Sequence, residues 1–221
     1  MSTLFAASFD DAEIRIPRGI TDNASFLRWA TSKDAPEKGK YAYLGDHLWI
    51  DASMETLFHN TIKSEIAFIL GPWVKQMGLG DYFTDGMLMS RPDLEFSSQP
   101  DGIFVSKLNW KTGRVKLQQN DNSLVLLGSP DMVLEVISKS STLKDQKIKK
   151  HFYHLAGIKE YWLVDSRLAS PTLLIYRHTL KGYVQVKPVK AWVKSVVFGT
   201  SFRLLIEQET RDRRSVKLQH S

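Results

Sequence analysis

The stretch SPDMVLEVISKSSTLKDQKIKKHFYHLAGIKEYWLVD, residues 129–165, constrains the fold more than any other part of the chain. An apolar strand over 130–137 runs into a lysine-rich helix over 140–156, and a second apolar strand, EYWLVD, follows the helix stop at Gly157. Side chains at i, i+2 and i+4 of a strand share a face, so Asp131, Val133 and Glu135 point one way and Met132, Leu134 and Val136 the other. Glu135 then lies deep in an apolar strand, where an unpaired carboxylate carries a large desolvation penalty. It must be paired, protonated or bound to a cation, and an ion pair with one of the nearby lysines is the plainest choice.

Around this segment the chain reads as helices and strands in alternating blocks. Residues 1–40 are irregular and polar, broken by Pro17, Gly19, Pro36 and Gly39, and are expected to form an N-terminal arm with one short helix over 23–31. KYAYLGDHLWIDAS reads as a β-hairpin turning at Gly45-Asp46. Residues 54–77 are the clearest amphipathic helix: Leu57, Phe58, Ile62, Ile66, Ile69, Leu70, Trp73 and Met77 recur at helical spacing. Ser53 serves as its N-cap, Gly78 and Gly80 as its stop, and Pro72 is expected to kink or fray its end. From Asp81 the period changes to two, with strands at 87–91, 99–106 and 123–127; TLLIYRH, GYVQVK and FRLLIE follow residue 165. Residues 207–221 read as a basic, mobile tail. Between arm and tail, residues 41–206 form one α/β or α+β domain, with helices segregated onto a sheet.

Composition narrows the chemistry. Lys and Arg number 30 against 24 Asp and Glu, a formal charge of +6 that favours polyanionic partners such as nucleic acid. There is no cysteine, which removes disulfides, thiolate zinc sites and cysteine nucleophiles and suits a reducing cytoplasm. No window approaches the ~20 apolar residues of a membrane span, and the first residues lack the pattern of a signal peptide. The expectation is a cytoplasmic protein with no membrane partner.

A second carboxylate resembles Glu135 in its setting. Asp101 follows Pro100 at the head of the strand DGIFV, 34 residues upstream, far enough for a hairpin to bring the two acids together. Carboxylates converging at a sheet edge repel unless a cation lies between them, and hard oxygen ligands suit Mg²⁺ or Mn²⁺. Such an ion can polarise a phosphoryl oxygen, which is the chemistry of phosphodiester hydrolysis. Asp131 is a poorer partner: four residues from Glu135 along one strand is about 13 Å, too far for one ion. On the helix, Asp145, Lys149 and Tyr153 fall at i, i+4 and i+8 and form one stripe. A solvated charged face is the commoner fate of such a run. Beside an acid-bearing strand, however, the Lys149 ammonium can stabilise developing charge or orient a water.

These residues carry a resemblance. Pro100-Asp101, then Glu135-Val136-Ile137-Ser138, then D-x-x-x-K-x-x-x-Y-x-x-x-G-[IV]-x-E-Y-W-x-V-D from Asp145 to Asp165 resemble the Uma-type endonuclease family, within the restriction-endonuclease-like PD-(D/E)xK nuclease superfamily. The likeness covers roughly residues 41–206. It implies a restriction-endonuclease-like core, a central mixed β-sheet flanked by helices, and a Mg²⁺- or Mn²⁺-dependent endonuclease acting on DNA. The same resemblance makes Asp101 and Glu135 the metal-binding and catalytic acids. Ile137 stands where the motif lysine is expected, and the resemblance implies that Lys149 substitutes for it. Asp145 and Tyr153 become supporting residues, as do His59, which opens the long helix, and Glu65 further along it. A homodimer fits an enzyme that cuts two strands. The alternative is a nucleic-acid-binding or interaction module that kept the fold and lost turnover.

Overall fold

Alternation along the acid-bearing strand divides the molecule into two cores. Met132, Leu134 and Val136 belong to one, and Val133 and Ile137 to the other. The computed structural model describes residues 5–9, 12–16, 19–36, 39–51, 53–137 and 144–221. In chain order, β1 (Phe5–Phe9) and β2 (Ala12–Ile16) pair as a hairpin, followed by α1 (Asn23–Ala30). The hairpin β3 (Lys40–Leu44) and β4 (His47–Asp51) turns at Gly45, whose φ of 69° is one glycine adopts without strain. Then come α2 (Leu57–Gln76), β5 (Gly80–Thr84), β6 (Leu88–Arg91), β7 (Phe96–Ser98) and β8 (Gly102–Ser106). α3 (Lys107–Lys111), β9 (Val115–Leu117), β10 (Val125–Gly128) and β11 (Met132–Ile137) follow. A π-helical turn, Lys144–Lys149, leads into α4 (Lys150–Leu155). β12 (Glu160–Asp165), β13 (Leu173–Thr179), β14 (Gly182–Gln185), β15 (Val193–Lys194), β16 (Ser201–Thr210) and β17 (Arg213–His220) complete the chain.

The fold is α+β with two large mixed sheets where sequence suggests one. They run β4-β3-β7-β6-β10-β9 and β14-β13-β12-β11-β8-β5, beside a smaller β15-β16-β17 sheet. Pairing within them is antiparallel except β6 with β10 and β11 with β12. β11 sits between β12 and β8. Its parallel register with β12, Glu135 opposite Leu163, requires a crossover, which the π turn and α4 supply. On one face of this sheet Ile62, Ile66, Leu70 and Val74 of α2 pack with Met132, Leu134, Val136 and Trp162. On the other, Tyr153 and Ala156 join Leu44, Met89, Phe96 and Leu126 of the first sheet. α1 covers the far side of that first sheet through Phe26, Leu27 and Trp29.

Four local expectations change. α2 begins later than the apolar pattern suggests: Thr56, not Ser53, is its N-cap and accepts from the His59 N–H at 3.2 Å, while Ser53 Oγ donates to Asp51 Oδ1 at 2.6 Å. Glu55 is thereby left outside the helix. The 140–156 helix is π-wound where the described residues begin and α only over the last turn and a half. Within the arm, Phe5–Phe9 and Ala12–Ile16 pair as antiparallel strands. The presumed mobile tail is paired: β17 lies along β16, and Val216 and Leu218 alternate inward against α2. The arginines at the turn hide that period of two in the sequence.

Candidate active site

Pro100 has no N–H and ends the β8 ladder, whose last partner on β11 is Leu134, opposite Gly102. Beyond that point Val136 has no strand partner on the β8 side. Its N–H donates to Asp101 Oδ2 at 2.6 Å, and its carbonyl accepts from His59 Nε2 at 2.8 Å. One residue of the acid-bearing strand therefore fixes two candidate ligands from different elements. Gly102 is needed for the approach, since a Cβ there would lie 2.2 Å from the Tyr82 hydroxyl.

Glu135 is 2% exposed and Lys149 3%. Lys149 Nζ donates to Glu135 Oε1 at 2.7 Å, and the Tyr153 hydroxyl donates to the same oxygen at 2.5 Å. Ser98 Oγ lies 3.2 Å from that hydroxyl. Burial, and then the Glu135 charge, push the Tyr153 phenol well above its ordinary value, so it remains a donor. Lys149 lines the cleft, whereas its neighbour Lys150 stacks over the Tyr176 ring at 3.5 Å. The lysine-rich run is thus not a uniform basic patch.

Asp101, 4% exposed, also carries the Lys40 ammonium on Oδ1, with Lys63 Nζ 4.0 Å from the same oxygen. Burial opposes its ionisation. The nearby His59 ring, the Lys40 charge and the Val136 N–H outweigh that and hold the carboxyl well below the usual range. Glu55 is likewise held low: burial raises it, but Lys63, Lys40 and His59 prevail. A carboxyl with a depressed folded value contributes stability above its unfolded value, near ~3.9, and loses that contribution as pH falls through the folded one. In chelator, the melting-temperature advantage of the wild type over Asp101→Asn should hold from about pH 7 to pH 5 and shrink below about pH 4. An advantage that does not change with pH would show that the Asp101 charge is not what the fold uses.

These groups wall a cleft of about 390 Å³, with Glu55 just ahead of α2, His59 and Lys63 in its first turns and Asp85 at the rim. Glu55, His59 and Asp101 each present a ligand atom within 4.8 Å of the others; Glu135 is outside that group, engaged by Lys149 and Tyr153. Since His59 Nε2 faces a carbonyl, it carries the hydrogen. Nδ1 is buried without a hydrogen-bond partner, 3.5 Å from Glu55 Oε2. A ring nitrogen with no partner in the protein, while the other donates to a backbone carbonyl, is the arrangement of a metal-ligating histidine.

Of the residues singled out in the sequence, Asp101 and His59 converge on the backbone of Val136, while Glu135, Lys149 and Tyr153 form the adjoining knot. Glu65 lies elsewhere, its Oε1 accepting from the Leu218 N–H at 2.9 Å and so fastening β17 to α2. The Asp145 side chain is outside the described residues. Asp131 has a structural role: Ser106 N, Asn109 Nδ2 and Lys159 Nζ donate to it at 2.7, 2.8 and 2.6 Å. Lys40, Glu55, Lys63 and Asp85 were not anticipated. The i, i+4 pair His59 and Lys63 within α2 is a signal that would have found one of them.

The chain belongs to the Uma2 family, whose model, described as "Putative restriction endonuclease", matches residues 24–207. By family and by fold it is nuclease-like. A similar crystal structure, that of "a putative nuclease belonging to DUF820" from Anabaena variabilis ATCC 29413, has a TM-score of 0.61 at 18% identity, covering 80% of this chain and 90% of that one. No curated protein matches. Among the described residues, no helix is long and apolar enough to cross a membrane.

Proposed function

We propose that the protein is a Mg²⁺- or Mn²⁺-dependent endonuclease that hydrolyses phosphodiester bonds in DNA. The observation that carries this reading is the buried His59 ring between two carboxylates held in ionised form, its Nδ1 without a hydrogen-bond partner 3.5 Å from Glu55 Oε2 and its Nε2 3.8 Å from Asp101 Oδ2, next to the Glu135–Lys149 pair. That donor set fits a divalent cation, with Asp101, Glu55 and His59 as its holders and Glu135 adjoining. When bound, the ion would supply polarisation of a phosphoryl oxygen and neutralise charge gathering on it.

The remaining work falls to the chain itself. Val136 fixes Asp101 and His59, so neither has to be ordered when substrate arrives. Tyr153 and Lys149 hold Glu135 by one oxygen and set its orientation. The Lys149 ammonium, facing the cleft, places positive charge where equatorial phosphoryl oxygens become more negative in the transition state. Its approach from the end of the π-helical turn puts an ammonium beside Glu135 although Ile137, fully buried, occupies the third position of the strand motif.

Supercoiled plasmid incubated with the purified protein should be converted to open-circular and linear forms in Mn²⁺ or Mg²⁺, and left intact in EDTA. Cleavage in EDTA would refute metal dependence. Intact plasmid with retained DNA binding at every metal concentration would select the alternative, a binding module that kept the nuclease fold.

A further inference from the structure

Asp101, Glu55 and Asp85 share two ammonium groups in an interleaved arrangement. Lys40 Nζ contacts Asp101 Oδ1, lies 3.1 Å from Glu55 Oε1 and 3.2 Å from Asp85 Oδ1. Lys63 Nζ contacts Glu55 Oε2 and Asp85 Oδ2. Three carboxylates against two ammoniums leave one net negative charge. Adding a divalent ion to that set would leave one net positive charge in a partly buried site, which is unfavourable. Exchanging one ammonium for the ion leaves the set neutral.

The two lysines are not equally able to leave. Lys63 is in the body of α2, its side chain 10% exposed, and it stands off Asp101 by 4.0 Å. Lys40 begins β3 directly after Gly39, whose φ is 117°, and its side chain is 28% exposed. It also holds the Asp101 oxygen itself.

We propose that Lys40 is a resident cation at the metal site: its ammonium engages Asp101 and Glu55, two of the three residues that would hold the ion, and a divalent ion enters by displacing it. The inference rests on the metal-site reading above and adds that metal entry and Lys40 release are one event. Apparent affinity is the intrinsic affinity scaled by the fraction of molecules in which the position is open. A tenfold effect corresponds to Lys40 holding its place in about nine molecules of ten.

The test is Mn²⁺ binding by titration calorimetry on the full chain without DNA. Lys40→Met should tighten Mn²⁺ binding tenfold or more, and Lys40→Arg should leave it near wild type. Lys63→Met removes the same charge from the same cluster but should tighten binding far less, which separates displacement from simple charge change. Equal tightening by the two methionine variants, or none in Lys40→Met, overturns the inference and leaves the metal site standing. Absence of Mn²⁺ binding in the wild type and in every variant overturns both. A second measurement needs no stability in the variants: in ¹⁵N-lysine-labelled wild type, the Lys40 Nζ signal should shift or exchange away as Mg²⁺ is added, and a signal that does not respond while Mg²⁺ binds rejects displacement.

Discussion

Glu135→Gln should lower metal-dependent nicking of supercoiled DNA about a thousandfold, the scale of losing one preorganised electrostatic group in a water-poor site. Gln is isosteric and keeps an oxygen for Lys149 and Tyr153, which donate to Glu135 at 2.7 and 2.5 Å. What it removes is the charge. The fold should therefore survive, with far-ultraviolet circular dichroism unchanged, while the Lys149 ammonium loses its counter-charge and the cleft loses a carboxylate beside Asp101. Because the pair is buried, bulk salt will not replace the missing charge. Nicking by the variant at the wild-type rate would place the chemistry elsewhere, or in a contaminant.

The largest effect on stability should come from a different carboxylate. Glu160 is fully buried at the start of β12, opposite Met132 and so four residues from Val136 along the neighbouring strand. Trp162 Nε1 and Ser195 Oγ donate to one oxygen at 2.9 and 2.6 Å, and the Val196 N–H donates to the other at 2.6 Å. It fastens the segment carrying Val193 and Phe198 to the core, where the Phe198 ring meets Trp162 at 5.5 Å and Phe104 at 4.7 Å. Glu160→Ala strands these three donors, and the longer-range Val197 N–H at 3.4 Å, at roughly 1–3 kcal/mol for each close one. A total of about 4 kcal/mol corresponds to a fall in melting temperature on the order of 10 °C for a chain of this size. Mn²⁺ affinity below the new transition should match the wild type. A drop of only a degree or two would mean that water replaces the carboxylate and that the anchor is unimportant.

These two acids show what the sequence made legible. Glu135, Lys149 and Tyr153 are separated by 14 and 18 residues, so strand alternation and helical spacing were enough to aim them at one another. The same alternation put Met132, Leu134 and Val136 into one core and Val133 into the other. Lys40 meets Asp101 across 61 residues, and His59 meets the Val136 carbonyl across 77. No local period encodes such encounters, because they depend on where β8 stops and where α2 begins. The start of α2 was misplaced for that reason: apolar spacing reaches back to Met54, but the capping hydroxyl is Thr56, and the shift carries Glu55 into the site. Glu65 fails in the opposite sense. It lies on the same helix as His59, but six residues on, more than a full turn and a half away, and faces β17 instead.

That bond from Leu218 to Glu65 spans 153 residues, about twice the separation of His59 and Val136. Such a contact forms only after a large loop has closed, and loop-closure entropy is spent before any burial offsets it. Chains built on contacts of this span fold slowly. α2, which brings His59 and Lys63 to the cleft, is clamped on its other side by the last strand of the fold. A chain with β17 undocked would hold this helix by one face only, so competence at the cleft and completion of folding are coupled in time.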